Sequence, residues 1–201
     1  MPRALIPATG ANRKVVEHNL FDFRSFRPSS GDIYFVDSNG TAGTGLSPGD
    51  PKVTIGAAAA LATANDGTTV YLLEGHAETV HTAAYATLSV AGVTYQGLGN
   101  GRTRPVLTWD ATASQLIVSG ADITFRNIVF DFTGIDAVVA AVSITGADVT
   151  FEDCEFITNS ASAGAVLGLV TAATATRFAC KRCRFMGAET NSGTLTNNLT
   201  W

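Results

Sequence analysis

Carboxylate side chains are the first candidates for chemistry in this sequence. Asp122 and Asp148 occupy equivalent places in two similar stretches, GADITFRNIVF (residues 120–130) and GADVTFEDCEF (residues 146–156). Glycoside hydrolysis needs two carboxyl groups about 5–10 Å apart in a groove. Both aspartates, however, follow Gly-Ala, a context in which aspartate commonly forms a turn. We therefore interpret Asp122 and Asp148 as turn residues.

A second possible acid pair joins Asp131 or Asp136 with Glu155. The two aspartates lie in FDFTGID, which we interpret as a looped bend. The sequence also lacks the long loop insertions that build a carbohydrate groove around such a pair. We therefore predict no catalytic residue and no enzymatic activity.

Histidine and glycine-rich stretches could indicate a metal or a phosphate ligand. His76 lies in EGHAE between two glutamates, and we interpret it as part of a surface turn. GTAGTG (residues 40–45) lacks the Lys-Ser/Thr pair of a phosphate-binding loop, and DSNG (residues 37–40) matches a calcium loop for only four residues. We interpret both stretches as turns and predict no metal and no cofactor.

The repeated stretches define the elements that must position these residues. The frame Gly-Ala-Asp-β-branched-Thr-Phe begins at Gly120 and again at Gly146, and weaker matches lie before it in LSVAGVTYQGL and after it in TRFACKRCRF. The spacing between successive matches is nearly constant, and its length fits single coils of a parallel β-solenoid, in which like residues stack at about 4.8 Å. The alternative is a β-sandwich, but sandwich strands do not usually repeat residue identity at a constant period. The stacked columns are predicted to be Val93, Ile123, Val149 and Phe178; Tyr95, Phe125, Phe151 and Cys180; Leu98, Ile128, Cys154 and Cys183; and Phe130, Phe156 and Phe185.

The spacing within each unit predicts a corner. Inward residues of a strand are two apart, whereas the second and third columns are three apart. The chain should therefore bend near Arg126-Asn127 and Glu152-Asp153. Opposite charges should then stack across neighbouring coils and help to fix the register. The predicted pairs are Glu152 with Lys181, Asp153 with Arg182, and Glu155 with Arg184.

The three cysteines lie near this corner. Cys180 and Cys183 have a metal-like spacing, but a structural zinc site needs four ligands. Cys154 and Cys183 should stack in the core, where the distance between coils would permit a disulfide. We predict buried free thiols instead.

The rest of residues 31–185 also favours a solenoid. DIYFV (residues 32–36) and TTVYLLEG (residues 68–75) have strand composition, and TIGAAAALATAND (residues 54–66) is typical of a helix that begins at Thr54. We predict that this helix caps the first coil. The tail at 186–201 is polar and irregular, so either this tail or another protein covers the opposite end.

Residues 1–30 differ from the solenoid in composition. They carry five basic residues against two acidic ones, together with three phenylalanines. An extended arm that becomes ordered on a partner protein would explain this mixture, although a disordered terminus is the simpler alternative. The predicted partner-binding residues are Arg13, Lys14, Phe21, Phe23, Arg24, Phe26 and Arg27.

Net charge and composition argue against two classes of binding partner, nucleic acids and membranes. The net charge is −4 with a pI near 5.3, which argues against nucleic acid. The sequence has neither an apolar run of 18 or more residues nor the apolar core of a secretory signal. Because the sequence lacks such a run, we expect no membrane partner. Three cysteines, an odd number, form no regular disulfide framework, so we expect synthesis in a reducing bacterial host cytoplasm.

The run GDIYFVDSNGTAGTGLSPGDPKVTIGAAAALATANDGTTVYLLEGHAETV, continued by VAGVTYQGLGNGRTRPVLTW, resembles right-handed parallel β-helix proteins of the pectin-lyase-like type. It looks most similar to small structural β-helix proteins of tailed bacteriophages. The resemblance covers about residues 31–185 and implies an all-β, right-handed parallel β-helix. It is weak for function, because this fold carries lyases, hydrolases, tailspikes, adhesins and capsid proteins.

We therefore expect a non-enzymatic virion protein on the capsid exterior. The leading hypothesis is a capsid decoration or cement protein that binds the major capsid protein through its arm and forms a homo-oligomer, with a trimer plausible by symmetry. The alternative is a tail fibre or receptor-binding component that binds host glycans. A depolymerase-like enzyme is a third hypothesis.

Overall fold

A computed structural model describes residues 31–134, 136–138, 140–158, 164–165 and 168–186. The predicted arm at 1–30 lies outside these residues, and so does the predicted tail except for Met186. Within the described part, the chain forms seventeen short strands and one α-helix. In chain order they are β1 (Ile33–Val36), α1 (Ile55–Ala59), β2 (Thr69–Leu72), β3 (Ala77–Val80), β4 (Ala86–Leu88), β5 (Thr94–Gly97), β6 (Val106–Trp109), β7 (Leu116–Val118), β8 (Thr124–Arg126), β9 (Val129–Asp131), β10 (Asp136–Val138), β11 (Val142–Ile144), β12 (Thr150–Glu152), β13 (Glu155–Ile157), β14 (Gly164–Ala165), β15 (Leu169–Thr171), β16 (Ala179–Lys181) and β17 (Arg184–Met186).

These strands form a parallel β-solenoid of about four turns. The first sheet has the order β1-β2-β5-β8-β12-β16, the second β3-β6-β9-β13-β17, and the third β4-β7-β11-β15; β10 and β14 form a separate pair. The chain visits the three sheets in turn and then returns to the first one coil further on. Because all pairings between these strands are parallel, the solenoid prediction is confirmed and the β-sandwich is excluded.

Most residues of the predicted columns belong to the core of the solenoid; Leu98 and Phe185 lie outside it, and Phe178, Cys180 and Cys183 are only partly buried against it. Tyr95, Phe125, Phe151 and Cys180 are register partners on successive strands of the first sheet. Phe130, Phe156 and Phe185 are partners in the second sheet. The rings of Phe125 and Phe151 stack with centroids 4.8 Å apart, and the interior rings are almost fully buried. Parallel in-register pairing thus turns a sequence repeat into continuous aromatic stacks.

The predicted corner lies between the first and second sheets. Asn127, Asp153 and Arg182 occupy equivalent places there, with φ of 55°, 54° and 52°. One residue in this left-handed conformation turns the chain between two strands, which explains the spacing of three. Asparagine and aspartate tolerate this conformation better than other non-glycine residues. The chain also turns through positive φ at Asp122 and Asp148, just before β8 and β12.

Helix α1 is shorter than predicted. It begins after Thr54, whose side chain accepts a hydrogen bond from the Ala57 N–H at 3.2 Å, but it ends at Ala59 instead of Asp66. Tertiary contacts override the helix propensity of the alanine-rich segment. The Tyr34 hydroxyl donates to Leu61 O at 3.1 Å, and the Asn65 N–H donates to Ala91 O at 2.9 Å on the adjacent coil.

Helix α1 lies at the N-terminal end of the solenoid. Its buried residues Ile55, Ala58 and Ala59 belong to the hydrophobic core, and the helix contacts β1, β2 and β4. These contacts agree with the predicted capping role, which remains a prediction.

The loop after β1 covers the outer edge of that strand. The Phe35 N–H donates to Gly45 O, and the Lys52 N–H donates to Phe35 O, both at 2.8 Å. Backbone groups that would otherwise form an open sheet edge are thereby paired within the chain. The Asn39 N–H donates to the Asp37 carboxylate at 2.9 Å, so DSNG forms a turn, as predicted.

Candidate functional site

The seven predicted partner-binding residues lie outside the described part of the chain, so their role stays a prediction. They are Arg13, Lys14, Phe21, Phe23, Arg24, Phe26 and Arg27. The described functional groups lie on the wall of the solenoid, at its corners and at its N-terminal junction.

An ion-pair ladder runs along the corner between the first and second sheets. Glu152 contacts Arg126 at 2.6 Å and Arg182 at 2.5 Å, and Arg182 also contacts Asp153 at 2.7 Å. Glu155 and Arg184 are register partners with a nitrogen–oxygen distance of 3.8 Å. Two predicted charge pairs are therefore confirmed.

The third predicted pair, Glu152 with Lys181, also stacks. The two residues are register partners, and the Glu152 carboxylate bonds in addition to two arginines on the adjacent coils. A guanidinium group can bond to two carboxylates at once because it presents several donors in a fixed plane. Glu152 and Lys181 are thus stacked as predicted, and the two arginine contacts of Glu152 are additional bonds that the sequence did not reveal.

Arg104 is a structural residue that the sequence analysis missed. Its guanidinium donates to the Glu155 carboxylate at 2.9 Å, to Asp153 O at 2.8 Å and to Ile128 O at 3.4 Å. One side chain from the loop between β5 and β6 therefore reaches two later coils. Its position within GLGNGRTRP was the available signal, but the sequence alone did not identify its partners.

The aspartates considered for catalysis have structural contacts. Asp148 forms an ion pair with Arg177, and this hydrogen bond holds the pKa of the Asp148 carboxyl below its usual range. Asp131 accepts the Thr133 N–H at 2.9 Å, within a turn. The structure does not bring Asp131 to Glu155, because Ile157, not Glu155, is its register partner. The side chain of Asp136 lies outside the described part.

The interpretation of His76 as a surface residue is wrong. Its side chain is fully buried, and Glu78 beside it is also buried. The Ser38 N–H donates to His76 Nδ1 at 2.9 Å, so we assign the ring hydrogen to Nε2, which donates to Glu78 Oε2 at 2.9 Å.

Glu78 connects this histidine to the helix. Its two carboxylate oxygens lie 3.2 and 2.9 Å from the Ile55 nitrogen, at the first residue of α1. Tyr85 also bonds to this carboxylate; burial, followed by the charge of Glu78, raises the pKa of the Tyr85 hydroxyl. The network joins the loop after β1, strand β3 and the helix start, and its buried polar groups satisfy one another. Its geometry is that of a structural junction.

The cysteines are free, as predicted, but the predicted burial holds only for Cys154. Cys154 is buried, whereas Cys180 and Cys183 are half-buried. Among the residues that the structure describes, no group of three or more His, Cys, Asp or Glu side chains could hold a metal ion. Within the same part, no helix has the length and hydropathy needed to cross a membrane.

Comparison with known proteins adds no family. No protein-family model, curated protein or solved structure matches this chain. The β-solenoid therefore rests on the observed strand pairing alone, and the resemblance to pectin-lyase-like phage proteins stays a prediction.

Proposed function

We propose that the protein is a structural component of a tailed-phage virion: a capsid decoration or cement protein. In this proposal, residues 1–30 bind the major capsid protein and the β-solenoid stands on the capsid exterior. Copies associate with one another, with a trimer as the simplest oligomer on a three-fold site.

The observation that carries this proposal is the use of charged side chains on the outer wall. Glu152, Asp153 and Glu155 each bond to arginines of neighbouring coils. Carboxylates on the outer face of a solenoid could hold a substrate or a cation, but here they join coil to coil. A surface whose charges fix its own register suits a rigid scaffold.

The position of the arm supports the same function. Residue 30 is followed directly by Gly31 and β1, the outermost strand of the first sheet. Any contact made by the arm is therefore connected to the end of the solenoid where α1 lies. Arginines could pair with carboxylates of a capsid subunit, and phenylalanines could fill its apolar pockets.

Deletion of residues 1–30 tests the anchor. We expect the truncated protein to remain folded by circular dichroism and to lose its binding to particles that lack the protein. Replacing Phe21, Phe23 and Phe26 with serine should weaken binding at least about 10-fold, since one buried aromatic anchor commonly contributes about 2 kcal/mol or more.

Phe185→Ser provides the matched control. Phe185 is an exposed phenylalanine, with 39% of its surface accessible, on β17 at the opposite end of the described coils. Its replacement should leave particle binding unchanged. Full binding by the truncated protein would show that residues 1–30 are not the anchor. It would overturn the proposal of a decoration or cement protein that binds the capsid through this arm.

A further inference from the structure

Three cysteines converge at the corner of the last two described coils. Cys154 directly precedes β13 and Cys183 directly precedes β17, and these strands are paired in register from Glu155 and Arg184 onward. The Arg184 N–H donates to Cys154 O at 2.9 Å. The Cys183 thiol reaches back to the preceding coil, where its sulfur lies 3.4 Å from Phe151 O.

The positions of Cys154 and Cys183 fit a disulfide between coils. Neighbouring residues on paired strands are about 4.8 Å apart, within the Cα separation of about 4.4–6.8 Å that a disulfide spans. Cys180 has a different geometry, because it lies on the same coil as Cys183, on the other side of the Arg182 turn. A Cys180–Cys183 bond would stay within one coil, whereas a Cys154–Cys183 bond would link two coils covalently.

Exposure separates the two cysteines by role. Cys154 is 1% exposed, whereas Cys183 is half-buried. A soluble oxidant can therefore reach Cys183 but not Cys154. The Cys154 sulfur lies in the interior, 3.6 Å from Phe125 O and 3.4 Å from Glu152 O.

Hydrogen bonds around the Cys183 sulfur affect the balance between its thiol and its thiolate. Hydrogen bonds from the Cys154 and Cys180 thiols favour the thiolate and lower the pKa of Cys183. Phe151 O at 3.4 Å and Lys181 O at 3.6 Å favour the protonated thiol instead. The thiolate is the form that attacks a disulfide.

We propose that Cys183 is an oxidation site that forms a disulfide with Cys154 when the protein meets a small soluble disulfide. The Cys183 thiolate attacks one sulfur of the oxidant, so that a mixed disulfide forms and one small thiolate leaves. Cys154 then loses its proton and attacks the Cys183 sulfur, which expels the second small thiolate. Overall, two protein thiols lose two electrons and two protons, and one small disulfide becomes two thiols.

This reaction would join the last described coil to the preceding one. The three thiols stay free in a reducing cytoplasm, and the bond forms after release into an oxidising medium. The inference does not depend on the proposed virion function, since it rests on the position and exposure of the cysteines.

The test uses the full chain with oxidised glutathione. After acid quenching, peptides are mapped by mass spectrometry without reduction, and free thiols are counted. We expect a Cys154–Cys183 cross-link, the loss of two thiols of three, and a rise in Tm of about 5–10 °C that a reductant reverses.

Two variants make the assignment specific. Cys180→Ser should still form the cross-link, whereas Cys183→Ser should form none and keep Cys154 unmodified. A Cys180–Cys183 cross-link, glutathione that remains on Cys183, or three unreacted thiols would each overturn the proposal. Peptide mapping of the oxidised wild-type chain already decides among these outcomes. The test therefore does not depend on whether either variant folds.

Discussion

Asn127 illustrates how one side chain closes a corner of the solenoid. Its φ of 55° turns the chain between β8 and β9. Its side-chain amide donates to Gly97 O at 3.0 Å and to Gly99 O at 2.9 Å on the preceding coil. Gly97 is required at this contact, because a Cβ there would lie 2.2 Å from Asn127 O. The corner thus depends on a matched pair of residues from two coils.

Replacement of Asn127 with alanine should lower the free energy of unfolding by about 2–4 kcal/mol, because it removes two hydrogen bonds and places a residue less tolerant of positive φ at the turn. Guanidinium unfolding at equilibrium measures the loss. Asn127→Gly also removes the two hydrogen bonds, but glycine adopts a positive φ without strain. This variant should therefore lose less stability than Asn127→Ala. Equal stability of wild type and Asn127→Ala would contradict this role.

Some residue-scale features could be predicted from sequence and others could not. Asp122 and Asp148 were predicted as turn residues because aspartate after Gly-Ala has a local conformational preference. His76 was misplaced because its burial depends on Ser38 and Glu78, which meet only in the folded chain. Long-range polar contacts leave no periodic signal in the sequence, which is also why Arg104 was missed.

At the scale of elements, the aromatic stacks connect successive coils. Phe125 lies at their centre, with ring centroids 5.2 Å from Tyr95, 4.8 Å from Phe151 and 6.0 Å from Phe130. Phe185 lies at the far end, stacked 5.0 Å from Phe156 and 39% exposed. The same residue type therefore contributes differently to stability according to its coil.

Truncation of these phenylalanines should reveal that gradient. Phe125→Ala should lower the free energy of unfolding by about 3–5 kcal/mol, because it leaves a cavity among fully buried rings. Phe185→Ala should lower it by about 1 kcal/mol, since much of its surface is already exposed. Chemical denaturation of both variants measures the difference. Equal losses would show that the described end of the solenoid is as well covered as its middle.

The sequence predicted the strand columns better than the helix. Columns follow from the nearly constant spacing of the repeats, and parallel pairing preserves that spacing from coil to coil. Helix α1 ends early because Asn65 pairs with Ala91 on the adjacent coil, a contact that local propensity cannot anticipate. The hydrogen bonds between β1 and the loop that follows it were not predicted, because they too depend on contacts that local propensity does not reveal.

The described solenoid differs at its two ends. At the N-terminal end, the loop after β1 pairs its backbone with that strand, and α1 packs against β1, β2 and β4. At the other end, Phe178, Cys180 and Cys183 are only half-buried and Phe185 is exposed. In our account the first end carries the arm and faces the capsid, while the second points away from it.

The central claim is that the protein is a lattice-bound part of a virion. The direct measurement is its copy number in purified particles from the source culture, by quantitative mass spectrometry against the major capsid protein. The account predicts hundreds of copies per particle, on the order of the number of lattice sites that symmetry offers. A handful of copies would contradict the decoration role and favour a tail component that binds host glycans. Absence from purified particles would contradict both virion functions.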